Sequence, residues 1–103
     1  MSSSPLTRSD TTSTNRDELL TVLVSLPHDS ARARECRTTI IESYLPMATR
    51  LARRYRNRGQ AMDDLIQTAR LGLVGAVERF DPTRGADFTP YAVATILGEL
   101  KRY

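Results

Sequence analysis

The chain has 103 residues, a net charge of +3 and a single cysteine, which limits it to one small domain without an intramolecular disulfide. No apolar run approaches the roughly 20 residues needed to cross a bilayer. The Ser-, Thr- and Asp-rich N-terminus lacks the basic and apolar halves of a signal peptide, so a cytoplasmic protein with no membrane contact is expected.

Residues 1–14 are mostly Ser and Thr with Pro5, too polar to bury anything, and are expected to form a disordered tail. Residues 15–30 should hold a short helix and a linker. Asn15 with Glu18 three residues later has the form of a capping box, Leu19, Leu20, Val22, Leu23 and Leu26 supply an apolar side, and Pro27 ends the segment. His28 is the sole histidine. With no cysteine or second histidine near it, it reads as a loop residue rather than a metal ligand.

Asp29 or Ser30 can cap a longer helix in which Ile40, Ile41, Tyr44, Leu45, Ala48, Leu51, Ala52 and Tyr55 form the buried stripe, ending near Asn57 to Gly59. Pro46 removes the hydrogen bond to the Glu42 carbonyl, at a cost of roughly 3 kcal/mol in an ordinary helix interior. Because the apolar period keeps its phase on both sides, one kinked helix is expected rather than two. Cys36, between Arg34 and the Arg37 that follows it, reads as a small half-buried helix residue more than as a reactive thiol. Residues 31–58 carry eight arginines against Glu35 and Glu42. Arg50, Arg53, Arg54, Arg56 and Arg58 form a basic stripe suited to phosphate. A solvated helix face and a compositional preference for arginine, which supplies 14 of the 15 basic residues, account for part of that excess.

From Asp63 onward the pattern is sharper. Leu65, Ile66, Ala69, Leu73, Ala76, Val77 and Phe80 recur at steps of three and four, one face of a helix. Asp64, Gln67, Arg70, Leu71, Val74 and Glu78 occupy the rest of its surface, a polar face with aliphatic residues set into it, of the kind that meets another helix. Asp63 or Asp64 is expected to cap the first turn. Asp81-Pro82 ends the helix and Gly85 permits a positive-φ turn. Thr89 as N-cap and Pro90 at the first helical position then start a third helix carrying Tyr91, Thr95, Ile96 and Leu100, with Phe88 just ahead of it. Gly72 and Gly75 lie mid-helix with the wrong spacing for a phosphate loop, which leaves close helix packing as their reason. The carboxylates Asp63, Asp64, Glu78, Asp81, Asp87 and Glu99 pair with no nucleophile or base in a recognisable arrangement, so no catalytic activity, cofactor or metal is expected. Phe88 and Tyr91 read first as staples of the third helix to the core.

The ordered string DDLIQ, then Gly72-Leu73, Ala76-Val77, Arg79 to Pro82, Arg84-Gly85, Phe88, Tyr91-Ala92, Ile96 and the GELKR ending at Arg102 resembles region 2 of the sigma-70 family of bacterial RNA polymerase sigma factors. The likeness covers roughly residues 35–103 and is closer to the sporulation and general-stress branch, since GELKRY replaces the housekeeping ending. The resemblance implies a non-catalytic subunit that docks on core RNA polymerase and contributes to promoter recognition and transcription initiation. Carried over by position, the polymerase-binding surface falls on Asp64, Gln67, Arg70 and Val74, which would meet a coiled-coil pair of helices in the largest polymerase subunits. Thr68, Ala69 and Arg70 depart from the acidic-glycine-asparagine run of the family. Arg53, Arg54, Phe88, Tyr91, Lys101 and Arg102 are the candidates for nucleic acid, with promoter DNA met only in the polymerase complex, where aromatic rings can stack on unpaired bases. Ala94 and Thr95 stand where housekeeping members carry large aromatics, which implies weaker or different strand melting.

The expected fold is all-α: a small bundle of three main helices, one kinked at Pro46, with a short N-terminal helix and the tail. Residues 31–103 would form the region 2 domain, incomplete at its C-terminus, so that the chain reads as a fragment. Two alternatives share these features. One is a stand-alone arginine-rich helical nucleic-acid-binding module, and the other is an interaction fragment bound by an anti-sigma factor.

Overall fold

The computed structural model describes residues 18–102. The expected tail over 1–14, the Asn15 cap and Tyr103 lie outside them. The described residues form helices α1 (described over 18–25), α2 (Ala31–Arg53), α3 (Met62–Arg79) and α4 (Phe88–Arg102), with a 3-10 turn at Pro82–Arg84 between the last two. The all-α expectation holds, and no strand occurs among the described residues.

Ser30 starts α2: its hydroxyl accepts the Ala33 N–H at 3.1 Å, a cap that contributes about 1 kcal/mol. Pro46 sits inside this one helix. The buried residues Ile40, Tyr44, Ala48, Leu51 and Ala52 keep a single stripe across it. Glu42 and Pro46 are both exposed, so the carbonyl deprived of its donor faces water rather than the core. The α-helix ends at Arg53, earlier than the Asn57 to Gly59 expected. The N–H groups of Arg54, Tyr55 and Arg56 bond carbonyls three residues back, at 3.0–3.4 Å, which tightens the last turn. The chain then reverses through Asn57 and Gly59, at φ 73° and 94°; asparagine and glycine are the residues that tolerate this left-handed region.

Two expected caps are corrected. The N-cap of α3 is Ala61, with no side-chain bond. Asp63 and Asp64 already lie inside the first turn, where they favour the positive end of the helix dipole without capping it. Helix α4 begins at Phe88, ahead of the Thr89 cap expected from sequence. Pro90 is therefore the third helical residue, still among the positions whose N–H has no partner within the helix, so its missing donor costs nothing.

Helix α3 is the middle of the bundle, packed along both α2 and α4, which touch each other far less. Leu65, Ala69, Leu73, Ala76 and Val77 are buried on its inner side, while Ile66 and Phe80 are half-buried. Phe88, Ala92, Ile96 and Leu100 of α4 are buried at steps of four. Gly72 sets the closeness of α3 and α4, since a Cβ there would meet the Ile96 Cα at 3.1 Å. Gly75 does not share the expected reason: the nearest atoms to a Cβ there belong to the Arg79 guanidinium on the same helix, 2.9 Å away, the end of a flexible side chain that can move aside. An aromatic chain closes the α4 end of the core. Tyr44 and Phe88 have ring centroids 5.0 Å apart, Phe80 meets Phe88 edge-on at 5.2 Å, and Phe80 meets Tyr91 at 5.5 Å, each within the range of favourable aromatic pairs. From α1, Leu20 joins this core.

Candidate docking face and nucleic-acid surface

With five apolar residues of α3 committed inward, helical spacing leaves Asp64, Gln67, Arg70, Leu71, Val74 and Glu78 on the opposite side. All are exposed except Val74, which is half-buried. Leu71 is 67% exposed, and among the described residues only Val24, at 53%, is its equal as an exposed large apolar side chain. Among the described residues no acid or arginine of this face forms a salt bridge. The face thus offers both charge signs, an amide and an aliphatic centre, with no salt bridge to its charges among the described residues. Such a surface suits a second helix whose polar groups match the rim and whose apolar residues cover Leu71.

The second surface lies where α3 turns into α4. Asp81 Oδ1 accepts the Thr83 N–H at 2.9 Å and the Thr83 hydroxyl at 2.6 Å, and Gly85 takes φ 81°. These two features close the turn. The Thr83 hydroxyl and N–H, with Arg84 beside them at 3.8 Å, hold the Asp81 carboxyl below the ordinary aspartate range. Its carboxylate is therefore the stable form in the folded turn. The turn brings Arg79, Phe80, Asp81, Arg84, Ala86 and Tyr91 around an open concavity of about 490 Å³. Two guanidiniums, that of Arg84 lying 3.8 Å from the Asp81 carboxylate, and two aromatic rings share this concave surface, a set of groups that can meet a backbone phosphate and a base.

The residues singled out for nucleic acid separate in space by burial. Tyr91 lines this concavity. Phe88 is 4% exposed, its ring enclosed by Tyr44 and Phe80, and so offers no face to a base. Arg53 and Arg54 are exposed at the end of α2, and Lys101 and Arg102 at the end of α4, where Arg102 is bonded to Glu99 at 2.6 Å. Sequence reading passed over Arg79, Phe80 and Arg84 as partners of Tyr91. The signal was present in the turn chemistry, because Asp81-Pro82 and Gly85 fold the segment between two arginines back onto the first turn of α4. His28 lies in an exposed turn and Cys36 is buried. Among the described residues no group of three or more His, Cys, Asp or Glu could hold a metal ion, and no described helix is long and apolar enough to cross a membrane.

The family Sigma-70 region 2 matches residues 40–103. The chain is similar to the RNA polymerase sigma factor SigF of Mycobacterium tuberculosis, 46% identical over 86 residues that cover 84% of this chain and 33% of that protein. It is 43% identical over 67 residues to the RNA polymerase sigma-F factor of Kitasatospora aureofaciens, covering 65% of this chain and 23% of that one. Against the RNA polymerase sigma-G factor of Clostridium acetobutylicum it is 34% identical over 86 residues, covering 84% and 32%. The chain spans a third or less of the length of these relatives.

Proposed function

Because the chain belongs to the sigma-70 family, which it matches in region 2, we propose that it docks on core RNA polymerase through the outer face of α3 and contributes to promoter recognition and transcription initiation. The observation that carries this reading is the pairing of Leu71, 67% exposed, with Asp64, Gln67, Arg70 and Val74 on the side of α3 turned away from the core. Covering one leucine side chain contributes about 1.5–3 kcal/mol. The exposed charges around it set orientation and exclude wrong partners more than they add affinity. A pair of partner helices, as in a coiled coil of the largest polymerase subunits, would present a groove of the right shape for this single helix face.

In the same reading the concavity lined by Arg79, Phe80, Arg84 and Tyr91 faces the promoter strand once polymerase has bound. Tyr91 supplies the stacking surface and the arginines meet the backbone, while Lys101 and Arg102 extend the positive charge along α4. Ala94 and Thr95 add no aromatic surface beyond Tyr91, so strand capture rests on fewer rings than in housekeeping members. The protein acts as a binding subunit and supplies no chemical step.

The test is binding of this chain to purified core RNA polymerase at one fixed salt concentration, with Asp64→Arg and Gln67→Ala as variants. Specific binding that both substitutions weaken is the expected result. A folded chain that does not bind, or variants that bind as well as the unaltered chain, would remove the outer face of α3 from the account.

A further inference from the structure

Four arginines stand at the C-terminal end of α2 and in the turn beyond it: Arg50, Arg53, Arg54 and Arg56. Arg50, Arg53 and Arg54 share one face of the helix by their steps of three and four. All four are exposed, and among the described residues none forms a salt bridge. Asp63 and Asp64, the next acids along the chain, form no salt bridge with them. Arg58 differs, for its guanidinium lies over the Tyr55 ring, 5.1 Å from the centroid. Arg50 and Arg53 lie in the last turn, where they complement the helix dipole. Four guanidiniums so close along the chain also repel one another, a repulsion that an external polyanion would relieve.

We infer that this end of α2 is a sequence-blind binding surface for the phosphodiester backbone of nucleic acid, separate from both the outer face of α3 and the Tyr91 concavity. The chemistry selects this ligand over other anionic surfaces. Guanidiniums match phosphate oxygens with two parallel donors. An anionic membrane would call for an apolar anchor, yet the exposed side chains between residues 50 and 59 are Arg50, Arg53, Arg54, Arg56, Asn57 and Arg58, none of which can insert into lipid. The surface reads no bases, because a backbone contact carries no sequence information.

The probe is a labelled duplex of about 20 base pairs and arbitrary sequence, whose paired bases are withheld from stacking, titrated with this chain in the absence of polymerase. Four phosphate contacts predict a slope of about −3.6 in log K against log salt, or roughly a hundredfold loss of affinity between 50 and 200 mM salt. The double variant Arg53→Gln/Arg54→Gln should halve that slope and reduce the loss to about tenfold. Arg50→Gln/Arg56→Gln should do the same, and Thr38→Ala, at an exposed position of α2 about three turns before Arg50, should change nothing. The inference is overturned by absence of duplex binding at 50 mM salt, by an unaltered slope in both folded double variants, or by phosphatidylglycerol vesicles binding in preference to the duplex.

Discussion

The inner and outer sides of α3 are read from the same helical spacing but belong to different parts of the protein's physics. On the inner side Leu65, Ala69, Leu73 and Ala76 are fully or almost fully enclosed between α2 and α4. Burial there is a folding term, and a change acts on the folded population whatever is bound. On the outer side Asp64, Gln67, Arg70 and Leu71 are exposed, so a change there costs the fold little, and under the proposed docking it acts on association. The difference teaches that in one helix of a three-helix packing, the face left over after the core is complete is where function has room to reside.

The sharpest break between the sides comes from truncating one leucine on each. Leu73→Ala leaves a cavity beneath two helices and should cost about 2–5 kcal/mol of unfolding free energy, a large share of the stability of so small a domain. Leu71→Ala should stay within about 0.5 kcal/mol. Urea denaturation of both variants checks this, and equal losses would erase the distinction. Glycine sharpens it further. At Gly72 a new methyl would press on the Ile96 backbone, and the overpacking should outweigh the better helix propensity for a net loss of about 1 kcal/mol. At Gly98 nothing lies within 4 Å of the added atom, so Gly98→Ala should stabilise by up to about 1 kcal/mol.

The smallest expected effect belongs to the turn after α3. The folded-state pKa of Asp81 is lowered by the Thr83 hydroxyl and N–H, with Arg84 adding to them. The carboxylate therefore contributes stability above the ordinary aspartate value of 3.8 and loses it as the pH falls through the folded value. An NMR titration of the Asp81 carboxyl should give a midpoint below 3.8, and Thr83→Val should raise it. A midpoint at or above 3.8 in the unaltered chain would contradict the turn geometry.

The stripes of α2 and α3 were legible because apolar residues at steps of three and four have one way to meet a core, and Ser30 was legible because a hydroxyl before a periodic run caps it. Helix ends were less so. Asp63, Asp64 and Thr89 are all good capping residues, but the backbone turns into helix before each of them, and which residue starts a helix depends on where the neighbouring helix pulls the chain. Ala92 was missed as core because alanine carries little apolar signal, although a close approach of helices favours it. For the surfaces, the outer face of α3 followed from what the inner stripe left over. Phe88 shows the limit: an aromatic residue in a functional stretch reads the same whether it stacks on a base or fills a core, and only the surrounding Tyr44 and Phe80 rings distinguish the two.

The central claim is that the outer face of α3 serves association and not folding. Unfolding and binding to core RNA polymerase measured on the same preparations of the unaltered chain, Asp64→Arg and Gln67→Ala test it most directly. The account predicts that Gln67→Ala unfolds as the unaltered chain does and that Asp64→Arg loses at most about 1 kcal/mol through the helix dipole, while both bind polymerase at least tenfold more weakly, about 1.4 kcal/mol. Undiminished binding by the folded variants, or weakened binding that merely tracks a loss of folded protein, would contradict it.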